Sequence, residues 1–363
     1  MIKMQESTFD EIISFENLYK AHRRARLGKR HKKEVIEFEM NLSENLWQLH
    51  YDLKYGRYQI GGYHKFMIYD PKEREIQAIS YRDRVVQHTL CDNFLIPLME
   101  RKLIYDNGAC RKEKGTHFVI GRLRKFMTEH YKKYVTSGYF VKMDVKKYFD
   151  SIDHNKLKNL LNKEIAEEKI KKLVFSVIDS YCFIENKGLP MGNQSSQCFA
   201  LYYLDEVDRF IKEKLKIKYY IRYMDDMIAI TPDKTSANLC LEAVSEKLIE
   251  KNLQMNVKSQ VVAIKNGINF LGWHFRFGEN GKILQTIRKQ SLLRMKTKLK
   301  ETILLLKKHK ISKKRLIQSQ NSLKGHLEKG NAYKILNNLI KDFIINKSVH
   351  KNYISLYKKA QTP

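Results

Sequence analysis

The chain reads as an α+β protein, on three observations. Short apolar stretches of strand character at 58–80, 138–145, 220–230 and 254–275 are separated by amphipathic helices at irregular intervals, without the alternation of a parallel sheet. Only 5 prolines occur in 363 residues, and no internal repeat or low-complexity linker divides them. A hydrophobic fraction of 43%, with 11% aromatic residues, suits a folded chain with one large core or two to three subdomains.

In chain order, residues 9–57 carry apolar spacings of three and four and predict helices. YQIGGYHKFMIYDPKEREIQAIS follows, two alternating strands around a turn at DPKER, and then a helical YRDRVVQHTLCDNFLIPLMERKL. A basic, glycine-bearing loop, NGACRKEKGTH, leads into the amphipathic helix FVIGRLRKFMTEHY. GYFVKMDV is a strand with Asp144 near its end, and Asp153 is placed to cap the helix NKLKNLLNKEI. GLPMGNQSSQ (188–197) reads as a loop feeding the helix CFALYYLDEVDRFIKEKL, with Phe199, Tyr203, Val207 and Phe210 on one face. After an apolar pair of strands at 220–230 come the helix TSANLCLEAVSEKLIEKN and the short strands QMNVKSQVVAI and INFLGWHF. The C-terminal region is helical, with Leu292, Met295, Leu299, Ile303 and Leu306 as an apolar seam.

Charge narrows the function. The 69 Lys and Arg against 40 Asp and Glu give +29, a field that favours a polyanion: nucleic acid or an anionic membrane. Apolar runs such as ILLL at 303–306 are far shorter than the ~20 residues a bilayer needs. The N-terminus carries acids and no apolar run, so no secretory leader is expected. Nucleic acid is therefore the expected partner, with no membrane, in a cytoplasmic setting. From Lys282 onward there are 21 Lys and Arg against 3 acids, which segregates most of the surplus at one end as a nucleic-acid contact surface. Cys91, Cys110, Cys182, Cys198 and Cys240 are dispersed, without a CxxC pair, and read as reduced structural core thiols.

YIRYMDDMIAI (220–230) sets two acids between apolar strands. A tight hairpin would project Asp225 and Asp226 from the edge of a buried sheet, and buried carboxylates persist where a cation compensates them. Hard oxygen ligands suit Mg²⁺. One hairpin cannot hold two ions, so a third carboxylate is expected from Asp144 on its own strand. Asp144 and Asp225 would then bridge two ions about 3.5–4 Å apart, one activating an attacking hydroxyl and the other neutralising the leaving pyrophosphate. These acids alone do not separate a polymerase from a nuclease.

YMDD, together with FVKMDVKKYFDSIDH and GLPMGNQSSQ, resembles the palm of reverse transcriptases. DPKEREI and RDRVVQ resemble the fingers motifs, NGACRKEKGTH the next block, NGINFLGW the primer grip, and NSLKGHLEKGNAY (321–333) a thumb sequence. They stand in the family's order over roughly 15–335. The resemblance implies a right-hand polymerase fold: N-terminal helices and fingers at 1–137, palm at 138–283, and a basic helical thumb at 284–363. It also implies RNA-templated DNA synthesis with two Mg²⁺ ions. One rival class, a two-metal nuclease, leaves the fingers motifs, the Phe149 spacing and the basic C-terminal helices unexplained. Another, a non-catalytic RNA-binding protein of polymerase fold, would have loss of a metal-binding acid as its hallmark, whereas all three acids are present. By the same resemblance Asp144 and Asp225, with the backbone carbonyl of Val145, ligate metal, and Asp226 supports them. Lys72 and Arg74 grip the incoming triphosphate, Phe149 is the gate against a ribose 2′-hydroxyl, and Met191, Gly192 and Gln197 border the nucleotide. Lys258 matches a general acid for pyrophosphate, and Phe270, Leu271 and Gly272 match the primer grip. The partners implied are template RNA, the RNA/cDNA duplex and dNTPs.

Within the family, Pro190-Met191-Gly192 stands where many members have Pro-Gln-Gly, and the loop ends Ser196-Gln197. Those residues, the compact length without a maturase, nuclease or integrase extension, and Ser322, Gly325 and His326 resemble diversity-generating retroelement reverse transcriptases, whose copying is error-prone at adenines. That resemblance implies a bacterial or phage-encoded enzyme with a small basic accessory protein or a cognate non-coding RNA. The loop also departs from that subfamily at Gln194-Ser195, and Met227 follows the acid pair where Phe is usual. Antiphage-defence reverse transcriptases, which make a specific cDNA, share related loops.

Overall fold

Nine strands form among the described residues, which in this computed structural model are 7–69, 73–328, 330 and 332. They fall into two compact units, one formed by 7–126 and 139–261, the other by 127–138 and the residues from 262 onward.

The first unit opens with the helices Phe9–Ile12, Phe15–Ala25, Lys33–Met40 and Leu42–Lys54. Thr8 starts them with a capping box, its hydroxyl accepting from the Glu11 N–H at 3.3 Å while its own N–H donates to the Glu11 carboxylate at 2.8 Å. Leu18, Ala21 and Ala25 face inward from one helix and Leu46, Leu49 and Leu53 from another. Strands β1 (His64–Ile68) and β2 (Arg74–Ala78) form an antiparallel hairpin in the register His64↔Ala78 to Ile68↔Arg74. The helix from Tyr81 to Lys102 is continuous but widens to a π-turn at Cys91–Leu95.

The central sheet carries β3 (Tyr139–Met143), β4 (Tyr219–Tyr223), β5 (Asp226–Thr231) and β6 (Gln260–Ala263) in the order β4-β5-β3-β6. β5 is antiparallel to both neighbours, with Met143 opposite Met227 and Tyr223 opposite Asp226. Its run from Met227 to Ile230 is buried on both faces, which is why the segment is apolar without alternation. Helix Lys234–Glu250 packs on β3 and β5.

An ion pair enters that core. Arg222 on β4 and Asp208 are both fully buried, and the guanidinium grips the carboxylate through Nε (2.7 and 2.9 Å) and Nη2 (2.6 Å). The Tyr220 hydroxyl donates to the same carboxylate at 2.7 Å. Together they satisfy a pair that would otherwise be costly to desolvate.

The second unit holds β7 (Ile268–Phe270), β8 (Trp273–Phe277) and β9 (Ile283–Ile287), an antiparallel meander, and the helices Lys289–Lys307 and Lys313–Leu327. Trp273 is buried and stacks on His326 at 5.1 Å. Of the expected thumb, 333–363 lies outside the described residues.

Several expectations need correcting. The 188–197 loop ends early, because Gln194 to Tyr203 is already helix. The helix drawn from Cys198 to Leu215 breaks at Leu204 and widens to a π-turn at Phe210–Lys214, so Phe210 leaves the predicted buried face. INFLGWHF is a hairpin turning at Leu271-Gly272, where both residues have positive φ, rather than one strand. The amphipathic helix Glu168–Asp179 was not anticipated, although Ile170, Leu173, Val174, Val177 and Ile178 have helical spacing and are buried. All five cysteines are free thiols, but Cys110 and Cys182 sit in exposed loops and are not core residues.

Replacing Asp208 with Ala would leave the Arg222 cation buried and unpaired. The expected cost is about 3–5 kcal/mol, read as a lower denaturation midpoint, and an unchanged midpoint would show that the pair does not hold this sheet.

Candidate active site

The β4–β5 turn consists of two residues, Met224 and Asp225, since Tyr223 already pairs with Asp226. Asp226 is therefore the first residue of β5 rather than a turn residue as expected. Met224 takes φ +57°, a left-handed conformation that a side chain adopts at some strain. The buried Arg222 supports the turn from beneath, donating from Nη1 to the Met224 carbonyl at 2.9 Å and from Nη2 to the Leu201 carbonyl at 3.0 Å.

Asp144 follows the end of β3, and its N–H donates to the Ser259 hydroxyl at 3.0 Å. The bridge between Val145 and Met255 is closed by flanking groups: the Asn256 N–H donates to the Asp144 carbonyl at 2.7 Å and the Lys146 N–H to the Gln254 carbonyl at 2.9 Å. This pairing does not use Val145's own carbonyl.

β3 and β5 are neighbours, so Asp144 and Asp225 face the same small volume. Desolvation pushes the Asp225 carboxyl up to about 6; Asp144 adds to this most among the charges, then Asp226, while Arg222 opposes it. Asp226 lies 3.7 Å from the Lys142 ammonium. Among the described residues no three His, Cys, Asp or Glu side chains converge to hold a metal ion by themselves. A hard divalent ion that keeps waters and takes phosphate oxygens needs only one or two carboxylates. Asp144 and Asp225, crowded to mutual repulsion, fit that requirement.

The 188–192 loop is fastened on two sides. The Leu189 N–H donates to the Phe149 carbonyl at 2.8 Å and the Gly188 N–H to the Ile152 carbonyl at 2.9 Å. On the other side the Met191 N–H donates to Gln77 Oε1 at 3.0 Å, and the Gln77 N–H reaches the Met191 carbonyl at 3.4 Å. Gly192, at φ +110°, lies close to Ile76, where a Cβ would approach to 3.2 Å. Arg74 is exposed at the start of β2, whereas Lys72 lies outside the described residues. Phe149 is half-buried while its neighbour Tyr148 is fully packed, its hydroxyl bonded to the Ala200 carbonyl. Gln197 is half-buried on the first helical turn after the loop, and Lys258 is exposed beside Ser259. In the second unit Phe270 is buried, so its ring is support; the turn residues Leu271 and Gly272 form the accessible tip of the expected primer grip.

Sequence reasoning missed Gln77, Arg222 and Ser259. The first two left a signal, since each is a polar residue inside an apolar strand and must find a buried partner. The signal did not say which partner.

Asp225 has a folded-state carboxyl raised above its unfolded value, so its ionisation destabilises the metal-free fold once pH exceeds the ordinary carboxylate range, fully so above about 6. Asp225→Asn is expected to raise metal-free stability at pH 7.5 by on the order of 2 kcal/mol, with the gain fading as pH falls towards about 4. A melting series across pH checks this, and a variant that is less stable at pH 7.5 would refute the crowding.

Residues 70–275, more than half of the chain, match the family described as reverse transcriptase (RNA-dependent DNA polymerase). The COX1/OXI3 intron 2 protein of Saccharomyces cerevisiae is 21% identical over 313 residues, covering 65% of this chain and 35% of that one. The retron Ec73 reverse transcriptase of Escherichia coli is 28% identical over 141 residues, 36% of this chain and 44% of that one. The group II intron-encoded protein LtrA of Lactococcus lactis is 30% identical over 201 residues, 53% and 31% respectively. The chain thus spans between about a third and just under half of these relatives. With the acid pair on its hairpin, Asp144 just past the end of the adjoining strand and the matched region running through both, the chain belongs to the reverse transcriptase family.

Proposed function

We propose that the protein is an RNA-directed DNA polymerase, and the observation that carries this reading is the crowding of Asp144 and Asp225 at the ends of adjoining strands. Asp144, Asp225 and the Val145 carbonyl would hold Mg²⁺, two ions in the full site, which when bound supplies Lewis-acid stabilisation of the reacting oxygens. Asp226, one residue further along, adds to the negative charge of the site, and the Lys142 ammonium 3.7 Å away offsets part of it. Arg74, with Lys72, meets the triphosphate. Phe149 presents a half-buried ring that leaves a 2′-hydroxyl neither space nor a hydrogen-bond partner. Lys258 is exposed and within two residues of the backbone that pairs with Asp144, which suits it to meet departing pyrophosphate. Template RNA, the RNA/cDNA duplex and dNTPs are the substrates of this reading. No helix among the described residues is long and apolar enough to cross a membrane.

The finer reading is an error-prone, diversity-generating enzyme assisted by a small basic protein or a cognate RNA. Gln77 clamps Met191 by its backbone, so the loop is held while its side chain is a thioether, without the amide that would position a nascent base pair. A loss of discrimination of only ~1–2 kcal/mol is tenfold or more in error. The alternative keeps the chemistry and makes a specific cDNA in antiphage defence.

Primer extension on an RNA template with all four bases, followed by sequencing of the product, tests both levels. Mg²⁺-dependent cDNA should form and should be lost in Asp144→Ala and Asp225→Ala; product that survives both substitutions would refute the polymerase site. Errors concentrated opposite adenine, reduced in Met191→Gln, support the diversity-generating reading, whereas faithful product favours defence. Phe149→Ala should raise ribonucleotide incorporation at least tenfold relative to dNTP use, and unchanged sugar selectivity would remove Phe149 from the gate.

A further inference from the structure

Helix Leu42–Lys54 buries Leu46, Leu49 and Leu53, and its outward side carries aromatic rings among the polar Glu44, Gln48 and Lys54. Trp47 and Tyr51 are each 43% exposed, and Tyr55, one residue past the helix, is 63% exposed. Spaced by four residues, the rings line up along the helix. Trp47 and Tyr51 are 5.8 Å apart at 27°, and Tyr51 and Tyr55 are 6.2 Å apart at 10°. Phe15 extends the row from the neighbouring helix, 4.9 Å from Trp47. The Arg57 guanidinium lies 5.4 Å over the Tyr55 ring. Carbon surfaces touch at about 3.5–4 Å, so a flat ring inserted between two others needs a spacing of roughly 7 Å. The outer pair is already near that value.

A hollow of about 440 Å³ adjoins Tyr55, lined by Lys54, Lys169, Lys172 and Ser176 and by no acidic side chain. Asp52 on the same helix is tied to Arg82 at 2.7 Å and lies 4.0 Å from Arg57. Glu44 is exposed at the opposite end of the helix from these lysines. The fold's core lies on the helix's other face; Trp47 packs against Phe15, while Tyr51 and Tyr55 are exposed. A row of stackable rings beside clustered cations is the arrangement that holds unpaired bases by their faces and their phosphates by charge.

We infer that this ladder and its lysine hollow bind single-stranded RNA, at a site whose residues are not those of the polymerase centre. The choice of RNA rests on the proposed RNA-copying activity, and the Tyr51 and Tyr55 hydroxyls supply partners for the ribose 2′-hydroxyl. The ligand is then a stretch of template or cognate RNA that is not paired to primer.

The test uses the full chain with an unstructured 20-nucleotide RNA, followed by fluorescence anisotropy and by quenching of tryptophan emission. The chain has two tryptophans, Trp47 in the ladder and the buried Trp273. Tyr51→Leu/Tyr55→Leu keeps apolar bulk on a face the core does not use, and Lys169→Glu/Lys172→Glu removes the charge independently. Each double variant is expected to weaken RNA binding at least tenfold, with Trp47 quenching lost, while extension of a short pre-annealed primer–template stays within twofold. Unchanged RNA affinity in the tyrosine variant would overturn the inference. An equal affinity and an equal loss with single-stranded DNA of the same sequence would overturn the assignment to RNA. A shift from dimer to monomer in sedimentation of the tyrosine variant would overturn it in favour of a contact between copies. If the wild type extends no primer yet the variants still lose RNA, the ladder stands and the polymerase reading falls.

Discussion

The buried pair of Arg222 and Asp208 is the interaction on which the rest of the candidate site depends. It places a full cation under the hairpin, saturates one carboxylate with it, and still leaves Nη1 to hold the Met224 carbonyl. A two-residue turn with a left-handed methionine would otherwise relax, and Asp225 would swing with it. The Tyr220 hydroxyl and the Leu201 carbonyl complete the bonding, so the pair is satisfied on every side that the strand presents.

Above that support the electrostatics run the other way. Asp225 is crowded by Asp144 and Asp226, and the fold supplies only partial relief, through Arg222 and, at Asp226, through Lys142. A stable core element thus carries an unstable charge arrangement at its edge, as is common where ligands are to be bound. Elsewhere the same balance is settled within the protein. The Asp106 carboxylate is met by Arg122 at 2.6 Å and Lys212 at 2.9 Å, and Glu206 is met by Lys251 at 2.6 Å.

The α+β class and most helices were legible because apolar spacing is local: 81–102, 116–134 and 234–250 needed only their own residues. The acids were legible too, since three carboxylates at the ends of apolar strands have few structural explanations. The π-turns at Cys91–Leu95 and Phe210–Lys214 left no comparable mark, because one extra residue in a turn is decided by packing against other elements. The same holds for Gln77 with Met191, 114 residues apart, and for Ser259 with Asp144, 115 apart. Phe270 shows what a motif leaves open: its ring is buried, which the match to a motif position did not say.

The Gln77 clamp has a mechanical side. Its two hydrogen bonds fix the inner end of β2 to the 188–192 loop, while Arg74 stands three residues outward on a hairpin whose strand β1 is largely solvent-exposed. At about 3.3 Å per residue that is a lever arm of about 10 Å. A tilt of about 10° around the fulcrum at Gln77 carries the Arg74 end through about 2 Å while Met191 stays where it is. On the proposed reading, in which Arg74 meets a phosphate and Met191 borders a base, such a tilt separates reach from alignment.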